Sequence, residues 1–572
     1  MTATEAAETS GEAGLEPLPI QDELSPRTEA GVSHRLLGAA VILLAVIVAA
    51  PTIAVALNAL EPRWEVWRHL AETRLLGLAW NTLRLLAGVA VGAGLLGICL
   101  AWLVAVHRFP GRGIFEWALV LPLAVPAYVY GFVVIALLDF AGPIQTWLRS
   151  TLGEGAVLPD VRSYWGVVTT MSLVFYPYVY LVAKAAFAER GTAMVEAAHS
   201  LGQTSFAGFW RLAMPLARPA IAAGLTLALM ETLADFGTVS VFGYDTFTTA
   251  IYRVWFGMFD RAAAGQIALT LMGFAALLLI LERTSRGRSR FGIADAGRAR
   301  LVELGTGRGW LAAAACGSVL AVAFILPASV LVRWSVRAVQ ERAVAGIYAE
   351  LVGNTVMVAL GAALLTVGAA LLLAYRARLA PSRWLRGLST LALLGYAVPG
   401  SVVAVGVLLV LARLDRVIES VLSSFPGIGL PPLLAASVAG LLFAYLVRFM
   451  AIAYYPVQAG LARIPVALDE SARVLGARHG AVLREVHAPL LRGSLATAAI
   501  LVFVEVLKEL PATMLIRPFG FDTLAVEVWQ RTNDAMWVEA APPSLAIVAA
   551  GAVLVWMLTH ARGARALRMK PR

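Results

Sequence analysis

Apolar residues along the chain gather into long runs separated by short, Arg-rich polar segments. A helix crosses a bilayer with about 20 mostly apolar residues. Runs of that length fall at about 36–58, 79–106, 114–139, 164–188, 216–240 and 264–281 in the first half. In the second half they fall at about 310–333, 353–375, 386–412, 432–456, 494–516 and 541–560. The strands of a membrane barrel show short alternating segments instead, so the pattern predicts an all-α integral membrane protein with about 12 transmembrane helices. Residues 1–35 break the pattern: acidic residues from Glu5 to Glu29 stand against Arg27 and Arg35, with Pro and Gly between them. Such a stretch predicts a disordered tail. It lacks a basic start followed at once by an apolar core, so it does not read as a cleaved leader, and the first span is expected to remain in place.

The polar segments set the orientation. With the N-terminus in the cytoplasm, the inner segments contain Arg108, Arg112, Lys184, Arg190, Arg211, Arg218, the Arg-rich stretch 283–308, and Arg376, Arg378, Arg383 and Arg386. Five more arginines run from Arg463 to Arg492 inclusive, and the tail 562–572 is basic. The outer loops carry about half as many, so both termini are expected on the cytoplasmic side of the membrane. Composition agrees: 60% of residues are hydrophobic, 14% are charged and the mean hydropathy is +0.78, whereas a soluble domain is about a quarter charged. The net charge of +10 therefore reads as a topology signal and a contact with the lipid bilayer, not as a nucleic-acid footprint. The two cysteines, Cys99 and Cys316, sit inside apolar runs and exclude a disulfide framework or a thiolate metal cluster.

The two halves repeat at an offset of about 274 residues. Asn81-Thr82 matches Asn354-Thr355, Val125-Pro126 matches Val398-Pro399, and Trp255 matches Trp529. Each half holds an even number of runs, so both enter the membrane from the same side, as parallel repeats around an axis along the membrane normal.

The segment after the fourth run of each half carries the strongest motif. The first reads Glu196-Ala197-Ala198, then Gly202 and Pro215; the second reads Glu470-Ser471-Ala472, then Gly476 and Pro489. The pattern predicts a short helix ended by Gly, a turn, and a second helix leading to Pro. It resembles the Glu-Ala-Ala loop of the inner-membrane permease subunits of ATP-binding-cassette importers of the type I fold. Ser471 in place of the first Ala is a small-for-small departure. The resemblance covers nearly the whole chain after residue 35. It implies a tail at 1–35, a first span and outer loop at 36–76, a permease domain at 77–281, a basic linker at 282–309, a seventh span and outer loop at 310–349, a second permease domain at 350–557 and a basic tail at 558–572. It also implies that these loops dock on two copies of a cytoplasmic ATPase, and that a periplasmic substrate-binding protein delivers the cargo. No G-x4-G-K-[ST] phosphate loop occurs in the chain. The chain is thus expected to be a permease and not an enzyme, with ATP and Mg held by the partner and no cofactor of its own.

Ionisable residues inside a span are costly and point to function. Glu231 and Asp235 lie one turn apart on the fifth run, and Glu505 and Glu509 lie one turn apart on its counterpart, beside Lys508. On a helix each pair shares a face, roughly at mid-membrane by residue count. Carboxylates along a shared axis favour a cation, and hard cations prefer oxygen ligands. Tyr128, Tyr130, Tyr176, Tyr178 and Tyr180 add phenol oxygens, although no metal site is assigned. The same acids also suit ion pairs with Lys508 and Arg448 that hold the bundles together. The wording from Glu231 to Gly243, and from Leu507 to Thr513 with Arg517–Ala525, is similar to the fused ferric-iron permeases of this superfamily. That resemblance implies ferric iron as cargo, with thiamine or another organic cation as the alternative. An ion-gradient transporter leaves the paired loops unexplained, and a membrane enzyme lacks a nucleophile–base set. The outer loops 243–263 and 517–540 are the expected docking surface for the binding protein.

Overall fold

The computed structural model describes residues 27–57, 64–200, 204–286, 301–341, 347–379, 383–422, 434–435, 437–477 and 479–568. Among these, eleven helices are long and apolar enough to cross a membrane, and a bent pair, Gly387–Ala397 with Gly400–Val421, makes a twelfth when counted as one span. The chain is an all-α membrane protein.

Several boundaries differ from the expected ones. The first helix, Arg27–Leu57, starts inside the expected tail; no proline lies between Pro26 and Pro51, so nothing halts the helix on that side. The rest of the tail, 1–26, lies outside the described residues. The expected linker 282–309 contains structure at both ends: one helix runs on to Arg286, another begins at Thr306, and Val302–Glu303 pairs in parallel with His107–Arg108. The last helix, Trp537–Arg568, extends well into the expected basic tail at 558–572.

The third run of each half, 114–139 and 386–412, is not a single helix. In the first half it is Arg112–Ala118, a 3-10 turn Leu121–Ala124, and then Ala127–Leu138. In the second half the pieces meet at 118°. The repeated Val-Pro pair is the cause. A residue before proline is pushed out of helical geometry, and Val125 (φ −94, ψ 114) and Val398 (φ −101, ψ 132) are both extended.

The fifth run breaks as well. Helix Met214–Ala234 gives way to a short helix Gly237–Val241, and Ala488–Leu507 gives way to Pro511–Ile516. In each half the short helix packs on the later piece of the broken third run. Upstream, each fifth span enters through a π-helical turn, Phe209–Ala213 and Val482–His487. Pro215 and Pro489 follow one residue later, after Met214 and Ala488. A proline cannot donate to the carbonyl four residues back and its ring crowds that carbonyl, which widens the preceding turn.

The apolar core forms two clusters that do not follow chain order. One combines spans of the first half with residues of the seventh helix, such as Cys316 and Leu331, and of the last, such as Ile547. The other combines the second half with Val41, Val48 and Val55 of the first helix and Ile267 of the sixth. Each half is thus completed by helices from the other. Without a hydrophobic drive between spans, close approach holds them together. A Cβ on Gly97 would lie 2.6 Å from Val179 Cβ, and one on Gly224 would lie 2.8 Å from Val179 Cα.

Candidate functional site

Two features come from the repeat. The first is the pair of motif segments. In the first half Glu196, Ala197 and Ala198 lie on the end of one unbroken helix, Tyr164–Ser200, and not on a separate short helix. The stretch 164–200 contains only one proline, Pro177, and no other strong helix breaker beyond glycines, so the span runs on into the motif. Gly202 lies outside the described residues. In the second half the expected arrangement is present. Helix Val438–Ala462 ends, and a separate helix, Val466–Val474, carries Glu470, Ser471 and Ala472. Gly476 follows at φ +83, a conformation that favours glycine.

The second segment has an anchor that sequence reasoning missed. Asp469, 4% exposed, accepts from Arg378 Nε at 2.8 Å and meets the wholly buried His487 Nε2 at 2.6 Å. Arg378 also donates to the carbonyls of Leu461 (2.5 Å) and Ile464 (2.9 Å). One guanidinium thus ties the end of helix Ile347–Leu379 to the turn before the Glu470 helix, and the imidazole ties that helix to the π turn before Pro489. Burial on its own raises the Asp469 carboxyl, but the bonds from Arg378 and His487 outweigh it and hold the group below its ordinary range. The first half uses aromatic packing instead, with Trp102 5.2 Å from Phe187 and 4.9 Å from Phe209. Next to the Asp469 anchor, Glu470 is exposed to solvent, as are Val466 (62%), Val474 (87%) and Leu475 (87%).

The second feature is a cavity of about 90 Å³ where the broken fifth spans of the two halves meet. Glu231, Asp235, Glu505, Lys508 and Glu509 all line it, so the repeat brings together all five residues singled out for the path. Their roles separate, however. The helix breaks at Asp235 (φ −68, ψ 130), so Glu231 and Asp235 do not form a pair on one helix face. Asp235 caps the short helix that follows, accepting from Thr238 N (2.8 Å), Val239 N (3.3 Å) and Thr238 Oγ1 (2.8 Å). Glu509 does the same, accepting from Ala512 N (2.9 Å), Thr513 N (2.9 Å) and Thr513 Oγ1 (2.6 Å). The cations pair as the structural reading of the sequence allowed. Lys508 Nζ lies 2.9 Å from Glu505 Oε1, and Arg448 Nε lies 3.9 Å from Glu509 Oε1.

Of the five tyrosines, Tyr176, Tyr180 and Tyr130 spend their hydroxyls on the carbonyls of Leu119, Glu116 and Val322. Tyr128 and Tyr178 line the cavity, and the buried Tyr128 hydroxyl has no hydrogen-bond partner among the described residues. On the side away from the Glu470 segment lies a larger cavity of about 370 Å³, bounded by Tyr244, Tyr252, Arg253 and Trp529. Phe236 lines both cavities and forms a wall between them. Gly237, just behind it, approaches its neighbours so closely that a Cβ would lie 2.7 Å from Tyr128 Cβ and 2.8 Å from Leu510 Cδ2. The repeated asparagines fix the loops beyond, Asn81 donating to Asp245 O (3.1 Å) and Asn354 to Asp522 O (3.2 Å).

Comparison with known proteins follows this architecture. The sequence profile of the family described as "Binding-protein-dependent transport system inner membrane component" matches twice, at residues 95–283 and 366–563. The chain is 28% identical over 495 residues to the Fe(3+)-transport system permease protein FbpB 2 of Haemophilus influenzae, covering 86% of this chain and 90% of that protein. It is 26% identical over 265 residues to the sulfate transport system permease protein CysT of Escherichia coli, covering 45% of this chain and 92% of the relative. It is 31% identical over 188 residues to a probable molybdenum ABC transporter permease protein of Haloferax volcanii, covering 32% of this chain and 66% of the relative.

Proposed function

We infer the cargo and the working cycle from one premise: the chain belongs to the family of binding-protein-dependent transport system inner membrane components, and is a permease of an ATP-binding-cassette importer. The cargo is ferric iron. The observation that carries this reading is the cavity at the interface of the two halves, in which four carboxylates face two cations. Such a surface disfavours sulfate or molybdate and suits a hard, multiply charged cation. The relative matched over most of both chains bears the name of an Fe(3+) permease, which supports the same cargo.

The Glu196 and Glu470 segments face the cytoplasm, with both chain termini on that side. Each docks on one copy of an ATPase subunit, which holds the ATP and Mg. The exposed Val466, Val474 and Leu475 beside Glu470 are the kind of apolar surface a partner covers. Closure of the ATPase pair moves the segments, the π turns pass the motion to the fifth spans, and the wall at Phe236 and Gly237 opens toward the larger outer cavity. A periplasmic binding protein docks on the loops 243–263 and 517–540 and releases iron there.

The test is uptake of labelled ferric iron in cells lacking this chain, with and without its restoration. Restoration is expected only with an intact chain, and Glu470→Arg is expected to abolish it while membrane insertion persists. Equal uptake with and without the chain overturns iron as the cargo.

A further inference from the structure

The four carboxylates of the central cavity are not equally free. Asp235 and Glu509 are committed to backbone N–H groups of the short helices. Glu231 and Glu505, which occupy matching positions in the two halves, are not so committed. The two cations also differ. The Arg448–Glu509 pair is walled in, with side chains 14% and 3% exposed. Gly400 packs against it so closely that a Cβ would lie 2.7 Å from Arg448 Nη1. The Lys508–Glu505 pair is open to the cavity, at 24% and 31%. At the repeat offset, Lys508 and Arg448 stand where the first half has Ala234 and Val174. The carboxylates are therefore duplicated and the cations are not. Among the described residues no three His, Cys, Asp or Glu side chains converge to hold a metal ion. Yet the Tyr128 hydroxyl, on a residue 4% exposed, lines the cavity with no partner among those residues.

We propose that Lys508 is a resident counter-ion: its ammonium occupies the place between the two fifth spans that a hard, multiply charged metal cation takes in transit, and it competes with that cargo for Glu231 and Glu505. The proposal rests on the reading that the cargo is a cation. Two uncompensated carboxylates inside a membrane bundle are costly, and Lys508, paired with Glu505, offsets one of the two charges when the path is empty. A path must bind its ion strongly enough to admit it and weakly enough to release it. Lys508 serves the second need by returning as the bundles close. Its place suits the exchange. It stands at the C-cap of helix Ala488–Leu507, where a displaced ammonium still meets the negative end of the helix dipole. A flexible four-carbon stem lets it move where a packed guanidinium cannot.

The test titrates the full-length permease in lipid nanodiscs with Tb3+, a trivalent hard cation whose emission nearby tyrosines sensitise. Lys508→Met is expected to raise the apparent Tb3+ affinity by about tenfold or more, since one like charge next to the bound ion is gone. Adding Glu231→Gln and Glu505→Gln is expected to erase that gain. In cells, Lys508→Met is expected to lower both the half-saturation concentration and the maximal rate of uptake, whereas Lys508→Arg retains wild-type Tb3+ affinity. If Lys508→Met fails to assemble, Lys508→Gln carries the same comparison. No gain in affinity for either variant, or a gain that survives loss of both glutamates, overturns the counter-ion. Tb3+ binding that is lost with the glutamates but unchanged in Lys508→Met overturns the counter-ion alone and leaves the cation path standing. Absence of Tb3+ binding in every variant overturns both.

Discussion

Asp469→Ala is expected to undock the segment that carries Glu470 while leaving the membrane bundle intact. The Asp469 side chain is 6% exposed and is shared between Arg378 and His487 at 2.8 Å and 2.6 Å. Removing one partner from a buried charged set costs about 3–5 kcal/mol, because the remaining charge is left without compensation. Little else holds the helix Val466–Val474, since Val466 and Val474 are 62% and 87% exposed. Even the lower figure shifts the docked-to-undocked ratio by more than about 100-fold. Amide exchange across 466–477 should therefore accelerate by about that factor, with exchange in helix Val438–Ala462 unchanged. Iron taken up per ATP hydrolysed should fall. The pH dependence has a definite sign. A carboxyl held below its ordinary value contributes stability that is complete above that value, about 4, and is lost as pH falls through the lower folded value. The Asp469 contribution to the anchor is thus complete above the ordinary carboxylate range and weakens only below about pH 4. Wild-type exchange and coupling in Asp469→Ala would refute the assignment of Asp469 as the anchor.

Gly476→Asp is expected to weaken coupling and Gly476→Asn to do so less: the space around this glycine is open, so the penalty comes from its φ of +83, which Asn tolerates better than most residues. The ratio of uptake to ATP hydrolysis in the two variants measures this. Glu231→Gln with Glu505→Gln is expected to cut iron uptake at least about tenfold without loss of assembly, and normal transport by the double variant would make both acids dispensable. Gly224→Val is expected to lower the thermal midpoint and the yield of assembled protein, because its Cβ would stand 2.8 Å from the Val179 backbone. A midpoint equal to wild type would show that the two helices are free to separate.

Much of this was legible in residue order alone. Hydropathy gave the spans, and the offset gave the pairing of Glu231 with Glu505 and of Pro215 with Pro489. Hydropathy is blind to backbone direction, however, so the runs 114–139 and 386–412 read as continuous spans with no break placed at Val125 or Val398, both of which are extended. The proline after each was the available signal. The capping of the short helices was also readable, since Asp235 precedes Thr238 by three residues and Glu509 precedes Thr513 by four. The Asp469 anchor was not readable: Arg378 is distant in sequence, looked like one more basic residue of a cytoplasmic segment, and has no counterpart in the first half. Only packing brings the three side chains together.

In the proposed cycle the π-helical turns act as pivots. From Met214 to Glu231 a helix rising 1.5 Å per residue is about 26 Å long. If the widened turn at Phe209–Ala213 acts as a pivot, a tilt of about 10° swings the Glu231 carboxylate sideways by about 4.5 Å. An equal and opposite swing about Val482–His487 carries Glu505 the other way, by symmetry of the repeat. A tilt of about 10° at each pivot thus adds about 9 Å between the two glutamates, more than the width of a hydrated ion's first shell of oxygens at about 2–2.5 Å from the metal. In that cycle the fifth spans work as long levers, and a small stroke on the ATPase side moves the carboxylates of the central cavity.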